Sequence, residues 1–82
     1  MQTKLANGAI LSMADNGVWV LEYNGKTASG SAEHEYFECS ELPIVGGTDD
    51  KGKWCIWRYM DDNAVSKHNT EDECWAALAE ML

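Results

Sequence analysis

Long apolar runs are missing from this chain. None approaches the roughly 18 to 20 residues that a membrane-spanning helix needs. Met1 to Gly8 offers no charged n-region leading into an apolar h-region. The expectation is a cytoplasmic protein, neither secreted nor inserted in a membrane. Cysteine is scarce as well. Cys39, Cys55 and Cys74 are three in number and widely spaced, whereas a small disulfide scaffold carries an even and denser set. They read as reduced thiols. No two of them stand close enough in sequence to be a zinc ligand pair. His34 with Cys39, or His68 with Cys74, would each supply only half a site, so no metal and no cofactor is expected.

Catalytic signatures are also lacking. The chain has no nucleophile elbow, no phosphate-cradling glycine loop, no G-x-G-x-x-G and no H-E-x-x-H. A Cys-His pair is conceivable, but Cys55 lies between Trp54 and Ile56 in an expected core strand and Cys74 on the apolar face of an expected helix. Burial makes a thiol inert. Asp49-Asp50 and Asp61-Asp62 fail the spacing of a calcium loop and read as turn carboxylates. No catalytic residue is assigned, and an enzyme is not expected.

Positive charge is absent from one stretch in particular. The net charge is -8, and residues 31 to 50 account for -6 of it, with Glu33, Glu35, Glu38, Glu41, Asp49 and Asp50 and no Lys or Arg. Affinity for nucleic-acid phosphates comes mainly from cation release by Lys and Arg, so direct nucleic-acid binding is disfavoured. A basic partner is the natural inverse.

What is present suits one small folded domain spanning 1–82. The length allows a modest core without staples, and four Trp and three Tyr rule out the composition of a disordered chain. No repeat or change of composition marks a boundary. The reading is α+β: an antiparallel β-sheet of about four to five strands with one C-terminal amphipathic helix packed on one face. Ala9 to Ala14 is short and apolar, and Asp15-Asn16-Gly17 turns it. Val18 to Tyr23 is β-branched and aromatic, and Asn24-Gly25 signals a type I′ hairpin. Lys26 to Ser31 returns as a small, polar strand that lies at a sheet edge or frays early. Ala32 to Leu42 reads as strand over helix, and Pro43 closes it. Gly46 to Gly52 reads as a mobile loop. Lys53 to Met60 is apolar on both faces, as expected for the middle of the sheet, and Ala64 to His68 is a brief last strand.

The helix is the best-specified element. Thr70-Glu71-Asp72-Glu73 fits a capping box and starts it at Glu71. Cys74, Trp75, Leu78, Met81 and Leu82 form one apolar stripe of helical period. Trp54 and Trp57 are an odd number of residues apart, so they face opposite sides of their strand. One belongs under the helix, and the other is either covered by a loop or an exposed anchor.

In extended geometry Glu33 and Glu35 would share a face about 6.6 to 6.8 Å apart, joined by Glu38, Glu41 and the Asp49-Asp50 loop. Such a surface could steer the domain onto a basic groove. In this general character the chain resembles the small acidic proteins by which bacteriophages and mobile elements inhibit host machinery, the anti-CRISPR proteins among them. Its ending, Asn69-Thr70-Glu71-Asp72-Glu73-Cys74-Trp75-Ala76-Ala77-Leu78, is similar to the strand-then-capped-helix endings of short phage proteins. The resemblance implies a stoichiometric inhibitor of a basic, nucleic-acid-handling host protein or nucleoprotein complex, acting in the host cytoplasm. Its partner-binding residues would be Glu33, Glu35, Glu38, Glu41, Asp49 and Asp50, with Trp57 or Tyr59 as apolar anchor. The alternative is an accessory module that homodimerises through a sheet edge or exposed aromatics.

Overall fold

The computed structural model describes residues 1–82. The elements run β1 (Gln2–Lys4), β2 (Ile10–Met13), β3 (Val18–Tyr23), β4 (Lys26–Glu33), β5 (Tyr36–Cys39), β6 (Ile44–Thr48), β7 (Trp54–Arg58), β8 (Ala64–His68) and α1 (Glu71–Glu80). Every strand pairs antiparallel with its successor, which gives one eight-stranded meander. The single C-terminal helix on an antiparallel sheet agrees with the expectation, and the expected four to five strands become eight. No helix of the chain is long and apolar enough to cross a membrane.

The turn chemistry explains much of the register. Asn24 and Gly25 take φ of 51° and 75°, both positive as a type I′ turn requires. They set β3 against β4 from Tyr23↔Lys26 to Val18↔Ser31. Lys26 to Ser31 is no edge, however: β4 is the longest strand and is paired on both sides, by β3 and by β5. Its small residues serve packing. A Cβ at Gly30 would run into the Trp19 ring and the Glu38 carbonyl.

Ala32 to Leu42 is extended but not one strand. It reverses at His34 and Glu35, with Glu35 at φ 60°, so that Glu33 pairs with Tyr36. The expected loop over Gly46-Gly47 is instead the heart of β6. Phe37 lies where a Gly46 Cβ would be, and Tyr36 covers Gly47 from the other side. Gly46 admits the Phe37 ring, and Gly47 admits the close approach of the Glu35 carbonyl. β7 is the penultimate strand rather than the middle one, with only β8 beyond it.

A flat sheet of eight strands at about 4.8 Å spacing would be about 34 Å wide, yet the longest dimension of the whole chain is 30 Å. The sheet therefore curls, and its concave face closes on the helix. Leu11, Trp19, Leu21, Ala28, Phe37, Ile44 and Ile56 meet Cys74, Trp75, Leu78 and Ala79 in one core. Trp75 is the plug: its ring stacks on Phe37 with centroids 4.0 Å apart and meets Trp19 edge-on at 4.8 Å. Phe37 also stacks on Trp54, so Trp54 is the tryptophan that faces the core.

The capping box forms as expected. The Glu73 backbone N–H donates to Thr70 Oγ1 at 3.2 Å, and the Thr70 backbone N–H donates to Glu73 Oε1 at 3.1 Å. At the other end the helix has no basic residue in its last turn. Asn7 donates to the Ala76 carbonyl and Lys26 Nζ to the Leu82 carbonyl, which brings a cation from β4 to the negative end of the helix dipole.

Candidate functional site

Alternation along each strand sends every second side chain away from the core. Ladder partners share a face, so rows of the outer surface can be read across the sheet. One row runs Val18, Ser31, Glu38, Val45, Trp57. A second holds Glu33, Tyr36 and Gly47. A third holds Ser12, Val20 and Ser29. No second layer covers this convex face. Val18, Val20, Tyr36, Tyr59 and Val65 are all exposed large hydrophobic side chains.

The expected acidic set separates into three groups. Glu33 and Glu38 lie on the outer face, flanking Tyr36. The Tyr36 hydroxyl donates to Glu38 Oε1 at 2.9 Å. Partial burial on the face, then that hydrogen bond and the charge of Glu38, with Tyr59 and Glu33 also near, push the Tyr36 phenol above its ordinary pKa.

Glu35 does not share a face with Glu33, because it sits in the reversal itself. There it accepts a bond from Thr48 Oγ1 at 3.3 Å. Glu41 and Asp49 are engaged by the chain's own donors, Glu41 while still exposed and Asp49 half-buried. Glu41 takes the backbone N–H and hydroxyl of Ser29 where β5 has ended and left that N–H open. Asp49 accepts the N–H groups of Lys51 and Lys53, each at 2.9 Å, and pairs with Lys67 Nζ at 3.6 Å. The Lys53 N–H first, then the Lys51 N–H and the Lys67 ammonium, hold its carboxyl below the usual carboxylate pKa against the opposing effect of burial. Asp50 is exposed in the β6–β7 turn, at the end of the sheet opposite Tyr59. The expected continuous surface from Glu33 to Asp50 is thus replaced by Glu33 and Glu38 on the outer sheet face.

The two expected aromatic anchors lie in different settings. Trp57 occupies the outer row, half-buried between Val45 on β6 and Ala64 on β8. Tyr59 is 66% exposed just past the end of β7. Sequence reasoning missed Tyr36, Val45 and Met60. Met60 is 92% exposed and is held at φ 67°, a left-handed conformation that costs an L side chain roughly 1 to 2 kcal/mol. An exposed apolar residue in a strained turn does nothing for the core. It follows Tyr59 directly in the turn after β7.

The thiols sit away from this face's open part. Burial pushes Cys74 up to about 12, and burial with the Asp49 charge raises Cys55. Cys39 is half-buried. No group of three or more His, Cys, Asp or Glu side chains converges as a metal site. Comparison with protein-family models finds no match, and comparisons with curated proteins and with solved structures find none either.

Proposed function

We propose that this is a protein-binding domain whose outer sheet face covers a basic, nucleic-acid-handling surface of another protein, acting stoichiometrically as inhibitors of the anti-CRISPR kind do. The observation that carries the reading is the uncovered face itself. Tyr36, Val45, Trp57 and Tyr59 surround Glu38, and neither Glu33 nor Glu38 has a cation of its own chain within ion-pair distance. Aromatic anchors supply the desolvated centre of an interface, and unpaired carboxylates around them select a basic partner and speed its encounter.

The dimer alternative meets two blunted edges. β1 has three residues and carries Lys4, while β8 carries Lys67 and a bulge at Val65 opposite Ile56 and Trp57. Lysines and bulges are the devices by which sheets avoid edge pairing.

The test is retention of bacterial proteins on the immobilised domain, with duplex DNA as competitor. The wild type is expected to retain a nucleic-acid-binding protein and to release it to DNA. A Glu33→Lys, Glu38→Lys variant is expected to lose that protein, and an Asp15→Lys, Asp72→Lys variant of equal charge to keep it. Retention that survives the first variant, or that ignores DNA, overturns the reading.

A further inference from the structure

Between the β5–β6 turn and Tyr59 the outer face opens into a cleft of about 210 Å³, lined by Glu38, Leu42, Pro43, Val45 and Tyr59 among others. We propose that this cleft receives an arginine side chain of the partner protein. The inference rests on the outer face being the docking face, and it names the chemistry of the contact.

Size comes first. Sites for small molecules and cofactors run to roughly 300 to 1,000 Å³, so the cleft suits one long side chain better than a free ligand. Its walls are held in place before any partner arrives. The Tyr59 N–H donates to the Pro43 carbonyl at 2.7 Å and the Ile44 N–H to the Leu42 carbonyl at 2.8 Å. A cleft that is already formed costs little ordering on binding.

The chemistry comes second. Glu38 stands at the mouth with one oxygen fixed by the Tyr36 hydroxyl and the other without a partner in the chain. A carboxylate held in one orientation beside two tyrosines favours guanidinium over ammonium. The planar fork can offer two parallel N–H bonds to the carboxylate and stack on an aromatic face, and it gives up its water more readily. Leu42, Pro43 and Val45 offer apolar wall to the methylene stem. No Lys or Arg occurs between residues 31 and 50, and Arg58, opposite Ile44 in the ladder, makes no ion pair with Glu38.

The experiment is a titration of the isotope-labelled domain with N-acetyl-arginine amide and, separately, with N-acetyl-citrulline amide, which keeps the shape and removes the charge. Arginine is expected to shift the amide resonances of residues 38 to 45 and 57 to 60. Citrulline should bind at least tenfold more weakly. Glu38→Gln should abolish the shifts, while Glu33→Gln, an equal loss of charge on the same face, should preserve them.

Equal responses to the two probes, shifts scattered over all acidic turns, or no shift at all would overturn the cleft. The retention assay separates this failure from that of the broader reading. If Glu38→Gln holds the captured protein as tightly as Glu33→Gln does, the arginine cleft falls and the docking face stands. If the double lysine variant also holds it, both fall.

Discussion

Adjacent residues of β5 meet opposite fates. Phe37 points inward, 1% exposed, with Trp75 and Trp54 stacked against it. Tyr36 points outward, 42% exposed, with its hydroxyl on Glu38. Each ring lies over a glycine of β6, Phe37 over Gly46 and Tyr36 over Gly47. On the inner face the ring needs the bare backbone of Gly46, on the outer face the Tyr36 ring rests in ordinary contact, and only the inner face is sealed by a helix. The inner face is accounted for by stability. The outer face carries Tyr36, Trp57 and Tyr59 without a helix over them, and Glu33 and Glu38 have no cation of the chain beside them, so packing on the core does not account for it. That asymmetry is the argument for a partner.

The sharpest break in the comparison is Trp75→Ala. It removes the ring that joins β3, β5 and the helix, and large aromatic truncations in cores cost about 3 to 5 kcal/mol. At about 0.05 to 0.15 kcal/mol per residue, a chain of 82 residues has about 4 to 12 kcal/mol in all, so the loss takes a large share of it. Urea denaturation should find the midpoint of the variant sharply lowered. Trp57→Ala on the outer face should leave a cooperative transition, and equal losses at the two positions would erase the distinction between the faces.

Next in size is Gly46→Ala. Its methyl would occupy the position of the Phe37 ring, and overpacking of this kind costs about 1 to 3 kcal/mol. A Gly46→Ala, Phe37→Leu double variant should recover part of the loss, because the shorter side chain vacates the glycine. Failure to couple would mean that the glycine serves the backbone rather than the ring.

This pair also shows why part of the fold was legible in the sequence and part was not. Signals that act within a few residues could be read directly. The Thr70–Glu73 capping box, the Asn24-Gly25 turn and the opposed faces of Trp54 and Trp57 all appear where local rules put them. Gly46-Gly47 carries a loop's composition, and its reason for being strand lies across the ladder, in the Phe37 ring and the Glu35 carbonyl. The smallness of β4 likewise answers to Trp19 across the ladder, so a strand that reads as a frayed edge is central. The candidate site was legible in its chemistry and not in its geometry. Glu35 fell into a turn, and Glu41 and Asp49 were taken by backbone N–H groups, since a carboxylate near an open N–H bonds to it whatever the net charge around it.

A smaller effect reports on an engaged carboxylate through pH. Asp49 has its pKa lowered in the folded state, so it contributes stability above the ordinary carboxylate pKa of about 3.9. That contribution is lost as pH falls through the lower folded value. Asp49→Asn should flatten the decline in urea midpoint between neutral and acid pH. An unchanged decline in Asp49→Asn would mean that the Lys51 and Lys53 N–H groups are held without the charge of Asp49.

The smallest expected change in stability is the most informative about function. Met60 lies outside the core at φ 67°, where glycine is unstrained and methionine is not. Glycine in turn loses more chain entropy on folding, by roughly 0.5 to 1 kcal/mol, so Met60→Gly should leave the urea midpoint unchanged or raise it slightly. On the docking reading the same change removes an apolar contact beside Tyr59 and weakens retention of the partner severalfold. A residue whose removal helps the fold and harms the binding is explained by the partner alone. If Met60→Gly weakens the fold and spares the binding, the turn is structural, and the interface shrinks back to Tyr36, Glu38, Trp57 and Tyr59.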